Sequence, residues 1–302
     1  MSRDFSWDLY RTFGAVLREG SLSGAARLLG ITQPSVARHI EAMESSLGVS
    51  LFVRSARGLS PTDAALELKP HVDLLTSTSA AFLRTADGRA GEVRGTVRIS
   101  ASEIVGTFHL PPILTGLRLK HPDLTIELTL SNSADDLLQR DADIAIRMFR
   151  PTQNALIAKS VGAFALGLHA HPDYLARRGA PKTLEELSKH DVIGYDIETP
   201  ALRAFLKSWP MLQRPAFALR VDSDVAQLAA IRAGYGIGVC QTALAAMEPK
   251  LVRVLPDMFD ADLDTWVVMH EDMRTSTRCR VVFDELVMAI TAGIGRLFGA
   301  AV

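Results

Sequence analysis

Residues 21–54 read SLSGAARLLGITQPSVARHIEAMESSLGVSLFVR, and their caps, glycines and apolar spacing set out the start of the chain. Ser23 suits the N-cap of a short helix whose apolar members are Ala25, Ala26, Leu28 and Leu29. Gly30 ends that helix and permits a tight turn. Thr32 then caps a longer helix with Val36, Ile40, Met43 and Leu47 on one face. Two helices joined by a short glycine-containing turn have the spacing of a helix-turn-helix. Upstream, Leu9, Phe13, Val16 and Leu17 share one face of a preceding helix. Downstream, LFVRSARGLSP reads as a short strand, a basic turn and a second extended piece, which together make a β-wing.

Pro34 stands where a helix start has no partner for a backbone N–H, so the lost donor costs little and the entry is stiffened. With the apolar face buried, the opposite face shows Gln33, Ser35, Ala37, Arg38 and Glu41. The helix N-terminus favours a phosphate, Gln can pair with adenine in the major groove, and Arg with guanine or phosphate. Arg54 and Arg57 on the wing add cations to the same end of the chain. An alternative on spacing alone is a helical hairpin inside some other core. The basic wing argues against it.

The remainder bounds the class of protein. Across 302 residues, 33 Lys+Arg stand against 34 Asp+Glu for a net charge of -1, so a nucleic-acid surface must be local. Hydrophobic residues are 48 % and charged residues 22 %, a soluble globular balance long enough for two or three domains. Asp4 and Asp8 interrupt the start where a signal peptide needs an apolar run, and no stretch approaches the ~20 apolar residues that span a bilayer. Cys240 and Cys279 are too few for a disulfide framework or a zinc site and read as reduced thiols in a cytoplasmic protein.

Residues 62 to 85 pattern as a long helix through Ala65, Leu68, Val72, Leu75 and Phe82, with Pro70 expected to bend it or to open a resumed segment. ADGRAGEVRG then marks a linker. Beyond Gly95 strands alternate with helices, which predicts βαβ units around a mostly parallel sheet. TVRISA, LTIELTLSN and ADIAIRM read as strands and ADDLLQR as a short helix. A second βα set runs from AFALGLHA to LVRVLP, and the late strand TWVVMH could return to the first sheet. Two lobes joined by crossovers, with a ligand cleft between them, are therefore expected.

Three enzyme-like signals are set aside. GYGIG lacks the G-x-G-x-x-G spacing and follows a helix instead of a strand, so it reads as a helix end and a tight turn. His169 and His171 have no third metal ligand nearby, and Cys240 reads as a buried apolar thiol rather than a redox sensor.

The run F-x-x-V-x-x-x-G-S-L-S-x-A-A-x-x-L-x-I-T-Q-P-S-V-A-R-x-I-x-x-M-E-x-x-L-G-x-x-L-F-x-R resembles the N-terminal signature of LysR-type transcriptional regulators. It is carried by Phe13, Val16, Gly20, Ser21, Ser23, Ala25, Ala26, Leu29, Thr32, Gln33, Pro34, Ser35, Val36, Arg38, Ile40, Glu44, Leu47, Gly48, Leu51, Phe52 and Arg54. The likeness continues through G-x-V-R-I-S, H-P-D-L-T-I-E-L, D-A-D-I-A-I-R, P-D-Y-L-A-R-R-G-A-P and A-G-Y-G-I-G-V, nearly the whole chain. Ala37 departs from it where Ser is usual, and L-S-P-T-D-A replaces the more usual L-T-P-A-G after the wing.

The resemblance implies an α/β multidomain chain without enzyme activity. A winged helix-turn-helix over 1–61 would lead to a linker and dimerisation helix over 62–91. An effector-binding domain similar to periplasmic solute-binding proteins would follow over 92–302. Lobe I would take 92–162 and 266–302, and lobe II 163–265. Double-stranded promoter DNA would meet Ser23, Thr32, Gln33, Pro34, Ser35, Arg38, Arg54 and Arg57. A small-molecule effector would meet Ser100, Ser102, Glu103, Ser131, Asn132, Arg147, Tyr195 and Asp196. Homodimers through the linker helix, a homotetramer and a contact with RNA polymerase are the further partners expected. No cofactor, metal or membrane partner is expected. The competing class is a solute-binding or enzymatic two-lobed domain with a helical appendage.

Overall fold

A computed structural model describes residues 5–55, 58–86, 93–132, 142–151, 156–247 and 251–298. Arg57 and the helix expected over 134–140 lie outside these residues. The chain divides into two compact units.

The first unit begins with α1 (Trp7–Glu19), α2 (Leu22–Leu29) and α3 (Gln33–Leu47). Phe13 and Val16 of α1, Ala25 and Ala26 of α2, and Val36, Ile40 and Met43 of α3 make one core. Strands β1 (Phe52–Ser55) and β2 (Gly58–Pro61) pair antiparallel as the wing. The wing is fastened to the helices at both ends. Glu44 of α3 accepts from the backbone N–H of Leu51 at 2.6 Å and of Phe52 at 3.2 Å. Leu59 N donates to Gly20 O at 2.9 Å, and a side chain at Gly58 would stand 2.7 Å from that same oxygen.

Thr32 caps α3 as expected, accepting from Ser35 N at 3.3 Å. The cap of α2 is Ser21 and not Ser23: Ser21 is extended and accepts from Gly24 N at 3.1 Å. Ser23 therefore lies inside the first turn with its hydroxyl free to reach elsewhere. α4 (Asp63–Ala86) runs unbroken through Pro70. Its Ala65 and Val72 are buried against the winged helix, whereas Leu75 is 40 % and Phe82 72 % exposed.

The second unit is built on a seven-stranded sheet. Its strands are β3 (Gly95–Ala101), β4 (Leu124–Leu130), β5 (Ile144–Arg147), β6 (Leu156–Ala170), β9 (Gly238–Gln241), β10 (Val252–Val254) and β11 (Ala261–His270). The order is β10-β6-β11-β5-β3-β4, with β9 on the other edge of β6. β3 is parallel to β4 and β5, but β11 lies antiparallel between β5 and β6. The mostly parallel sheet expected from alternation is thus mixed. The late strand inserts beside β5 in the reverse direction, and β6 and β11 are long enough to serve both lobes.

Those two strands carry the division of the core. β6 gives Val161 and Phe164 to one cluster and Leu166, Leu168 and Ala170 to another. β11 gives Val267 and Met269 to the first, while its Ala261 and Leu263 pack against the second. A register shift at Thr265/Trp266 falls between. Lobe I adds a π-helical turn (Val105–His109) running into α5 (Leu110–Lys120), and α10 (Thr277–Phe298). Lobe II adds α6 (Pro172–Arg178), the parallel pair β7 (Val192–Gly194) and β8 (Phe217–Arg220), α7 (Pro200–Leu206), α8 (Asp224–Arg232) and α9 (Thr242–Ala246).

The GYGIG stretch is a helix end and turn. α8 stops at Arg232, and a side chain at Gly236 would stand 1.9 Å from Asp191 O, so β9 can approach β7 only with glycine there. No helix among the described residues is long and apolar enough to cross a membrane.

Candidate nucleic-acid interface and interlobe cleft

On α3 the buried stripe of Val36, Ile40 and Met43 fixes which side chains turn outward. Thr32, Gln33, Pro34 and Arg38 are exposed and Ser35 is half-buried. Ser23 on α2 donates its hydroxyl to Gln33 Oε1 at 3.2 Å, so two of the expected DNA contacts hold each other. Thr32 and Ser35 hydroxyls lie 2.9 Å apart, and the Thr32 hydroxyl also accepts from Ser35 N in the cap. His39 is hydrogen-bonded to Thr12 of α1 at 2.8 Å, which sets the rotation of α3 against the core. Arg54 is exposed on β1, and Arg27, which the sequence reading did not single out, is exposed on α2. The face combines an amide, hydroxyls, guanidinium groups and a helix N-terminus, the set that reads bases and grips phosphates.

In the second unit six of the eight expected effector residues fall into two groups. Ser100 and Arg147 are joined at the ends of β3 and β5, with Arg147 Nη2 donating to Ser100 Oγ at 2.8 Å and both side chains buried. Ser102, Glu103, Ser131 and Asn132 gather where β3 and β4 end. Ser131 N donates to Ala101 O at 2.8 Å and Glu103 N to Asn132 Oδ1 at 3.2 Å. Gly106 N donates to Ser102 O at 2.8 Å, which starts the helical turn.

Tyr195 and Asp196 part company. Tyr195 donates to Asp224 Oδ1 at 2.5 Å, at the first turn of α8. Asp196 instead takes a two-point contact from Arg214, with the shorter arm 2.6 Å, on the exposed side of lobe II. Asp222 caps the same loop, accepting from Asp196 N and Ile197 N.

Three residues that sequence reasoning missed complete the contact between lobes. Asp224 Oδ2 accepts from Asn132 Nδ2 at 3.0 Å. His109 Nε2 and Gln241 Oε1 are 2.7 Å apart. Each pairs groups about a hundred residues distant, so no local spacing signals them. The acid was visible only as the first residue of a helix after Ser223.

Burial, and then the neighbouring Glu103 carboxylate, raise the Asp224 carboxyl above its ordinary range, while the bonds from Tyr195 and Asn132 oppose that rise. Burial and the same carboxylates push the Tyr195 hydroxyl well above the usual phenol range.

The set-aside signals have ordinary places. His169 is buried with Nδ1 2.9 Å from Gly167 O and 3.3 Å from Cys240 Sγ. Burial pushes His169 down to about 4 and Cys240 up to about 12, so the pair is neutral near pH 7 and not an activated thiolate. His171 caps α6, accepting from Asp173 N at 3.2 Å. Among the described residues no group of three or more His, Cys, Asp or Glu is placed to hold a metal.

A winged helix-turn-helix followed by a two-lobed α/β domain with a polar seam defines a ligand-responsive DNA-binding regulator, not an enzyme. The family profile described as "Bacterial regulatory helix-turn-helix protein, lysR family" matches residues 7–66, and "LysR substrate binding domain" matches 90–290. The chain belongs to the LysR family of transcriptional regulators.

It is similar to the HTH-type transcriptional activator TtdR of Escherichia coli, 27 % identical over 312 residues and covering 93 % of each chain. The fold is shared with CrgA, a LysR-type transcriptional regulator from Neisseria meningitidis, at 23 % identity and TM-score 0.59, covering 95 % of this chain and 99 % of that one. It is shared also with full-length CbnR complexed with its target DNA, at 18 % identity and TM-score 0.63, covering 95 % and 100 %.

Proposed function

We propose that α3 enters the major groove of promoter DNA, with Gln33, Ser35 and Arg38 at base edges. Ser23, Thr32 and Pro34 support the head of α3 beside the backbone, and Arg54 and Arg57 take phosphates from the wing. The observation that carries this reading is the exposed part of α3, where Gln33 at its first turn and Arg38 opposite the buried Val36, Ile40 and Met43 are both open to solvent. The complex of CbnR with its target DNA is consistent with it. The working divisions are 1–61 for DNA binding, 62–91 for the linker helix and 92–302 for the effector domain. Lobe I takes 92–162 and 266–302, and lobe II 163–265.

A homodimer forms through α4, whose Leu75 and Phe82 are left exposed in the single chain, and two such dimers build a homotetramer. A small-molecule effector binds between the lobes against Ser100, Ser102, Glu103, Ser131, Asn132, Arg147 and Tyr195, with Asp196 at the margin. It shifts the balance between lobe arrangements and, through the tetramer, the way DNA and RNA polymerase are engaged in the cytoplasm.

Electrophoretic mobility shift with DNA upstream of the neighbouring genes tests the DNA reading. Salt-sensitive, sequence-dependent retardation is expected. Equal affinity for random DNA, or none at all, would overturn it and favour the solute-binding class. Thermal-shift screening of small molecules against the full chain tests the cleft.

A further inference from the structure

The seam between the lobes is closed by two adjacent residues on each side. Glu103 and Asn132 lie just past the ends of β3 and β4 in lobe I, and Glu103 N bonds Asn132 Oδ1, so the two are braced together. Opposite them, Ser223 and Asp224 are the N-cap and first residue of α8 in lobe II. Ser223 Oγ donates to Glu103 Oε2 at 2.8 Å, and Val225 N approaches the same oxygen at 3.5 Å. Asn132 Nδ2 donates to Asp224 Oδ2 at 3.0 Å. The carboxylate at the head of α8, where unpaired N–H groups and the helix dipole favour an anion, is thus supplied by the other lobe of the same chain.

We propose that Glu103 and Asn132 form an intramolecular clasp that holds the lobes closed in the absence of effector, with the Glu103 carboxylate filling the anion position at the head of α8. This rests on the reading of the interlobe seam as the effector site and adds its regulation. An effector carboxylate directed at α8 must displace Glu103, so binding and clasp closure compete. The competent population, and with it the apparent affinity, is lowered by the fraction of chains that are clasped.

The clasp is built to open. Closure brings the Glu103 carboxylate beside the Asp224 carboxyl, and like charges oppose each other across the seam that the hydrogen bonds hold. His109 with Gln241, and Arg232 over the Phe108 ring at 5.5 Å, hold the same seam at a second place. Release of the clasp therefore loosens the lobes without separating them.

Spin-label distances in the ligand-free full chain test this directly. Labels go on Leu119→Cys of α5, 80 % exposed, and on the exposed Lys182→Cys of lobe II. The native Cys240 and Cys279 are buried and stay unlabelled. Labelled protein is diluted into unlabelled protein so that pairs within one chain are read. The parent should give one narrow distance. Asn132→Asp, which turns a donor toward Asp224 into a third carboxylate, should add a longer population, as should Glu103→Ala, with Glu103→Gln between.

Cooperative unfolding by circular dichroism establishes that each variant is folded. Should Glu103→Ala fail there, the exposed Asn132 variant carries the test. The parent distribution unchanged in folded Asn132→Asp would overturn the clasp. A failed ligand screen beside a lengthened distance would instead count against the effector reading alone.

Discussion

Ser23 of α2 donates its hydroxyl to the side-chain oxygen of Gln33, the first residue of α3, across 3.2 Å. The bond engages the Gln33 oxygen, leaves the amide nitrogen as the donor for a base, and reduces the rotamers that the side chain can sample. Gln33→Ala should cost about 1–3 kcal/mol of discrimination between related DNA sites. Ser23→Ala should lower discrimination less, because the amide stays but is no longer held. Competition binding with base-substituted sites separates the two. Equal weakening on specific and random DNA would contradict the role in base reading.

Arg54 stands on the wing strand β1 with its side chain exposed. Arg54→Ala should weaken binding to all sequences alike and reduce the slope of log affinity against log salt by about 0.9, the yield of one phosphate contact. A salt series on one specific and one random duplex measures it, and an unchanged slope would remove Arg54 from the interface.

Glu44 faces inward from α3, and its carboxylate takes the backbone N–H groups of Leu51 and Phe52 where the chain enters the wing. Glu44→Ala leaves both donors without this acceptor beside the fully buried Leu51, at a cost of about 2 kcal/mol. Thermal unfolding should show that loss, and DNA affinity should fall with it because the Glu44 carboxylate positions the wing. Glu44→Gln, which keeps an acceptor, should recover part of both.

His169 is held neutral by burial, with a folded-state value of about 4 against an ordinary 6.5. Between those values the unfolded chain binds a proton that the folded chain refuses. Stability is therefore full above about pH 6.5 and declines as pH falls toward 4, by roughly 3 kcal/mol at most from this group. His109, lowered by burial, acts in the same direction. Denaturant unfolding between pH 7 and 4 should show the decline, and His169→Leu should flatten it without abolishing it. A slope unchanged in the variant would place the proton uptake elsewhere.

The legibility of these features follows the distance in sequence over which they are made. Thr32 as a cap, Pro34 in the first turn, and Val36, Ile40 and Met43 on one face are each decided by neighbours no more than four residues apart, through backbone donors and helical pitch. Even there one assignment moved. Ser21 and Ser23 are both competent caps, and only the folded backbone shows that Ser21 is the extended one.

The strands of the second unit were readable by alternation, but their directions were not. β11 pairs with β5 and β6 through contacts separated by about a hundred residues or more, and neither pattern nor propensity carries orientation over that span. The same limit governed the seam. Ser100, Glu103, Asn132, Arg147 and Tyr195 could be proposed from where strands end, yet Asp224, His109 and Gln241 were found only in the fold, and Asp196 was turned aside by Arg214.

By itself the sequence determined the winged helix, the outward face of α3 and the family, because those rest on short-range periodicity, capping and a long ordered motif. Tertiary structure decided which polar groups meet across the lobes, since β6 and β11 bring residues 103 and 132 to residues 223 and 224 through packing that no local stretch encodes.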